Sequence, residues 1–294
     1  MFGKKSNRKY LSLKETWEKR GKDLQDNLWA KHGESLHFLF DNAKQFAFGS
    51  LAGITLLASS GNVSLSVPIV SAHTRHSNQE DLDKSISLVL DLSSKLPTEV
   101  RPFLPFEEKG ITEALSTRLG APVASELQGI RLNTNYGYIG QEQHLYRYPG
   151  DSLQDHFENV EDELVYKDFG VAPGLGAWGY FAPSKDTFTN KDKLREKYYI
   201  AVQTFLSPGF DENVGQYSTF FKYRKMLIVN SQNGRAMVVD IADSGPSPWT
   251  GKQFGGSPAV MHYLERVDGS QKGPVLIFFI DDPEDRIPLG PIEI

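Results

Sequence analysis

Asp243, which closes a strand just before Ser-Gly-Pro, is the carboxylate of this chain best placed to do chemistry. A carboxyl there can pass a proton or hold a ligand. It is also a good turn residue, accepting hydrogen bonds from its own downstream amides. Well upstream runs the segment Asn133-Thr-Asn-Tyr-Gly-Tyr-Ile-Gly-Gln-Glu-Gln-His144, continued by Leu-Tyr-Arg-Tyr-Pro-Gly-Asp151. Its turn residues make it a loop, and it supplies a second acid and an imidazole, Glu142 and His144. If this loop lies over the strand end that carries Asp243, the three residues form an acid/base site. Tyr146 and Arg147 in the same loop suit stacking on and hydrogen bonding to saccharide rings. The bland alternative is a loop that packs through its tyrosines. Trp249, beyond the Asp243 turn, is a sugar platform or a plug for the end of the fold, and Lys252 follows it. The candidate catalytic residues are therefore Asp243, His144 and Glu142. The candidate substrate-binding residues are Trp249, Tyr146, Arg147 and Lys252.

Several other chemistries are excluded. Gly174-Leu-Gly-Ala-Trp-Gly179 matches a dinucleotide-binding pattern, but it follows a loop, meets Pro183 rather than a helix start, and lacks a βαβ unit. The seven histidines show no His-Glu-x-x-His or comparable ligand spacing, so neither a metal nor another cofactor is expected. The absence of cysteine removes disulfides, thiolate sites and lipidation at a cysteine. No Gly-x-Ser-x-Gly elbow is present. Asp240 alternates with its neighbours and reads as part of a solvated strand face.

The elements that must position these residues begin with a basic leader. Residues 1–44 carry ten Lys/Arg against six Asp/Glu, a net of +4, and the remainder carries 22 against 31, a net of −9. An acidic body disfavours nucleic acid as a partner. Ser12-Leu-Lys-Glu15 fits a capping box and opens a helical leader. From Gln45 to Thr74 there is no Asp, Glu, Lys or Arg. Residues 45–72 thus read as a membrane anchor, with a signal segment or a buried core helix as the other readings. Both membrane readings leave the basic flank inside and the bulk of the chain outside the cytoplasm.

Residues 73–80 read as a linker, Asp81–Leu96 as a helix ended by Pro97, and Thr112–Leu119 as a short helix stopped by Gly120. After residue 197 the pattern turns to strands: Tyr198–Phe205, then Lys225–Asn230 and Arg235–Ala242 joined through Asn-Gly, then Pro274–Ile280, apolar on both faces. Ser257-Pro258 reads as an N-cap and first-turn proline opening a helix from Ala259 to Leu264.

That order, together with Asn233-Gly-Arg-Ala-Met-Val-Val-Asp-Ile-Ala-Asp-Ser-Gly-Pro246, Trp249-Thr-Gly-Lys252 and Ser257-Pro-Ala-Val-Met261, resembles the double-psi β-barrel of rare lipoprotein A-like and expansin-like proteins. The resemblance covers the C-terminal third only. It implies a six-stranded barrel (198–294), at the end of an α+β chain that the patterning above divides into a basic helical segment (1–44), an anchor (45–72), a linker (73–80) and a mixed α/β region (81–197). It also implies an exported cell-envelope protein that binds peptidoglycan or a related polysaccharide and, if catalytic, cleaves it as a lytic transglycosylase with Asp243 in the site. A non-catalytic structural or partner-binding protein is the alternative. In the family a second acid follows the Gly-Arg of the next loop, whereas this chain has Phe254-Gly-Gly256 there.

Overall fold

Three segments of almost uninterrupted apolar residues form strands buried on both faces in the computed structural model: β6 (Lys225–Val229), β7 (Ala236–Ser244) and β9 (Gly273–Ile280). Successive side chains of a strand point to opposite faces, and here each face meets a different core. Met226, Ile228, Met237, Val239, Ile241, Val275 and Ile277 point to one cluster with Phe220 and Phe254. Leu227, Val229, Val238, Leu276 and Phe278 point to a second, which is completed by Leu88, Leu92, Ile111 and Leu115. Burial of one such side chain contributes about 1.5–3 kcal/mol, which is why neither face of these strands carries the usual alternate polar residues.

The structure describes residues 72–266 and 273–294, the first nine of these by backbone only. The basic leader and the expected anchor, up to residue 71, lie outside the described residues. No helix among the described residues is long and apolar enough to cross a membrane.

Six strands close into a mixed barrel, compatible with a double-psi fold. Around it run β9, β4 (Tyr136–Gln141), β8 (Phe254–Gly256), β5 (Tyr199–Val202), β7 and β6, which returns to β9. The pairs β4/β8 and β5/β7 are parallel, and the other four are antiparallel. Outside this ring β1 (Val123–Ala124) extends β9 and β10 (Gly290–Ile292) extends β7, while β2 (Glu126–Leu127) and β3 (Ile130–Arg131) form a small hairpin. The barrel thus takes β4 from a stretch expected to be a loop, ahead of the 198–294 range. Its glycines, poor strand formers in isolation, are needed for contacts described below.

Helix α1 (Ala72–Ser93) runs through the 73–80 stretch that the sequence marks as a linker, a correction to that reading. Its polar composition hides a helix whose later turns place Leu88 and Leu92 on the outer core, while Leu82, Ile86 and Leu90 stay exposed. Helix α2 (Pro105–Leu119) starts about two turns earlier than the sequence suggests, with Pro105 at its first turn and Glu107 accepting from the Leu104 amide. Gly120 ends it in the left-handed region as expected. Short helices follow: α3 (Val160–Tyr166), α4 (Asn190–Lys197), α5 (Val214–Phe221) and α6 (Pro258–Tyr263), the last capped by Ser257.

Candidate functional site

Asp243 ends β7. One residue before it the pairing with β5 slips, Ile200 facing Ile241 and Ala201 facing Asp243. This bulge at Ala242 takes Asp243 out of the alternation that sends Met237, Val239 and Ile241 inward, a common way of re-aiming a side chain. Asp243 Oδ1 accepts the amides of Ser244 and Ala177, both at 2.8 Å. Oδ2 has no hydrogen bond among the described residues. Desolvation raises the Asp243 pKa, against the opposing pull of those two amides. The Ala177 donor comes from the Gly-rich loop 174–179, so that motif holds a carboxylate in place. Trp178 pins the loop by donating from its indole to the Ser218 carbonyl at 3.1 Å.

Glu142 arrives from the other side. It follows β4 directly, and its amide bonds the Gly256 carbonyl at 2.8 Å. Its carboxylate lies against Gly255, where an added Cβ would stand 2.2 Å from Oε1. The Phe254-Gly-Gly256 stretch, which lacks an acid of its own, therefore makes room for one carried by β4. Lys252 donates to Glu142 Oε1 at 3.0 Å, and its stem crosses Gly140, where a Cβ would meet Cδ at 2.6 Å. Desolvation raises the Glu142 pKa; Lys252 opposes this and the neighbouring charge of Asp243 adds to it. Two carboxylates whose burial favours their protonated forms, close enough to feel each other, can share acid and base work. Beneath them Tyr199 is fully buried and donates to the Gln143 carbonyl. Burial, and then the charges of Glu142, Glu196 and Asp243, keep its phenol protonated well above the ordinary range.

Gly255→Ala tests this packing. The variant should lose about 1–3 kcal/mol in urea denaturation, as overpacked sites do. Adding Glu142→Ala should restore most of that loss, because no carboxylate is left to clash. A double variant no more stable than the single one would contradict the contact.

The other sequence candidates divide. Trp249 is 86 % exposed beside the Asp243 loop, free to act as a platform and not as a plug. Tyr146 is half-buried. His144 and Arg147 belong to a different, buried cluster around Glu196, which is itself 0 % exposed. Arg147 Nε and Nη2 hold Glu196 Oε2 at 2.9 and 2.8 Å, and His144 Nδ1 lies 3.1 Å from Oε1. His156 Nδ1 lies 3.2 Å from the same oxygen, and its Nε2 is 2.9 Å from Asp151 Oδ2. Burial alone would raise the Glu196 pKa, but His144, His156 and Arg147 pull it below the carboxylate range. Burial alone would lower that of His156, but Asp151 and Glu196 raise it. His144 thus faces Glu196 rather than Glu142, and Arg147 offers no open face to a ligand. Asp151 accepts the Arg147 amide at 2.8 Å and is buried.

Asp240 corrects another reading. It is 3 % exposed, covered by α4, with Arg195 Nε 3.3 Å from Oδ2 and Oδ1 lacking a hydrogen bond. It lines a cleft of about 500 Å³ whose charges already pair with one another, Lys225 with Asp282 and Asp285. Desolvation lifts its pKa from 3.8 to about 6, outweighing Arg195 and Lys225. The folded state therefore holds this proton more tightly than the unfolded chain. Stability should be highest below pH 3.8 as far as this group is concerned, fall as the pH rises towards 6, and stay reduced above. Asp240→Asn should remove that slope and gain roughly 3 kcal/mol at neutral pH. Unfolding curves across this window that are parallel in both proteins would refute the assignment.

What sequence reasoning missed is Tyr199, the Ala177 amide and Glu196. Tyr199 sits in a β-rich run that reads only as core. A backbone donor leaves no signature, and Glu196 is one charge among many in Asn190-Lys-Asp-Lys-Leu-Arg-Glu-Lys197. No protein-family model, curated protein or solved structure matches the chain.

Proposed function

We propose that this protein is an exported cell-envelope protein whose barrel binds a peptidoglycan-type glycan strand across the Glu142/Asp243 rim and cleaves it as a lytic transglycosylase. The observation that carries the reading is that Glu142, lodged over Gly255, lies near enough to Asp243 for their charges to interact, which gives the rim a second carboxylate. In the first step a protonated carboxyl, assigned to Asp243, gives its proton to the glycosidic oxygen as the C–O bond breaks. The same carboxylate then takes a proton from a hydroxyl of the sugar, whose oxygen closes on the anomeric carbon. No water is consumed, and an anhydro sugar end is left. Glu142 stabilises the cationic transition state, Lys252 orients Glu142 and opposes the desolvation that favours its protonated form, and Trp249 stacks on a neighbouring ring. The basic leader and residues 45–72 tether the barrel outside the cytoplasm in this reading.

A second reading, a barrel that binds glycan without cutting it, draws on the tie of Asp243 Oδ1 to two amides. Both readings require retention on insoluble peptidoglycan at low salt, reduced about tenfold in Trp249→Ala, the scale of one lost stacking contact. A wild-type chain that stays in the supernatant would overturn both.

A further inference from the structure

We propose that His144, His156 and Glu196 form a binding site for a divalent transition-metal ion of the zinc class. The proposal stands apart from the glycan reading and uses none of its residues. All three side chains are buried, and each offers a ligand atom within 4.8 Å of the others. Each imidazole has one nitrogen against a carboxylate, His144 Nδ1 on Glu196 and His156 Nε2 on Asp151. The remaining nitrogens, His144 Nε2 and His156 Nδ1, are buried and have no hydrogen-bond partner. His156 is held as metal-binding histidines are, Nε2 oriented by Asp151 and Nδ1 left for the ion, while in His144 the nitrogen that converges with it on Glu196 Oε1 is Nδ1, at 3.1 Å.

Glu196 completes the donor set. Arg147 takes Oε2 with two N–H groups, which leaves Oε1 turned to the rings. In a tetrahedral zinc site, bonds of about 2.0–2.1 Å put neighbouring ligand atoms about 3.3 Å apart. His156 Nδ1 and Glu196 Oε1 are 3.2 Å apart, yet make no hydrogen bond. Charge points the same way. Glu196 and Asp151 outnumber Arg147 by one in a place closed to water, and an uncompensated buried negative charge is costly. A cation belongs there. A proton on His156 is the competitor, with Asp151 and Glu196 both facing the charged ring, and the ion has to displace it. Two imidazoles and one carboxylate suit zinc, copper or nickel over magnesium or calcium.

The test is equilibrium dialysis of the full-length chain, stripped with a chelator and then titrated with zinc, read by elemental analysis. One zinc per chain at micromolar or lower free metal is expected, with at least a tenfold loss in His144→Gln and in His156→Gln. Because those variants can fail to fold, X-ray absorption of zinc in the wild-type protein gives a second reading. It should show imidazole and oxygen neighbours and no sulfur. A folded wild-type chain that takes up no zinc would overturn the proposal. So would equal affinity in the double histidine variant, or a His156 ring that stays protonated on both nitrogens in saturating zinc.

Discussion

Glu196→Gln will lower the unfolding free energy by about 3–5 kcal/mol, the usual penalty for breaking a buried ion pair from one side. The amide keeps the volume of the side chain but leaves Arg147, which is itself buried, without its counter-charge. It also removes the oxygen that faces both His144 and His156. Most of the penalty comes from the stranded guanidinium, so Arg147→Met added to Glu196→Gln should recover part of it. Urea denaturation monitored by tryptophan fluorescence decides the matter. A loss under about 1 kcal/mol would place the pair among exposed salt bridges, whose removal costs that little.

Asp243→Asn will cut glycan cleavage by about 10²–10⁴-fold, the range for losing a general acid/base. Stability should hold or rise, since burial disfavours the charged carboxylate that the substitution removes. The amides of Ser244 and Ala177 keep an acceptor, because an Asn oxygen can take the place of Oδ1. A purely architectural Asp243 would show the reverse pattern, with lost stability and unchanged chemistry in the folded fraction. The pH profile gives a further check. The first step needs the protonated carboxyl, and desolvation raises the Asp243 pKa. Cleavage should therefore persist above the ordinary range of an aspartic acid and fall as the pH climbs through the raised value.

Local signals made half of the barrel legible. Asn233-Gly234 between two apolar runs marked the β6/β7 hairpin, and Ser257-Pro258 marked α6, because a cap or a tight turn is fixed by the few residues that make it. The uninterrupted apolar run of β9 announced burial on both faces. β4 was hidden. Tyr-Gly-Tyr-Ile-Gly-Gln has the composition of a loop, and its glycines have a reason only once Lys252 and Gln253 lie across them. Asp240 was misread for a similar reason: alternation reports the pleat, and only packing of α4 tells which face is dry. The joining of Glu142 and His144 to Asp243 was stated as a condition on the loop's position; the parallel pairing of β4 with β8 brings Glu142 within electrostatic reach of Asp243 and leaves His144 on Glu196. The Glu196 cluster joins side chains from segments with no shared pattern, so nothing short-range could have announced it.

The rim chemistry is tested most directly by mass spectrometry of purified peptidoglycan incubated with the full-length chain. The account predicts fragments carrying anhydro sugar ends, formed by the wild-type protein and lost in Asp243→Asn with its fold intact. Hydrated ends only, or anhydro ends released equally by the Asn variant, would contradict it.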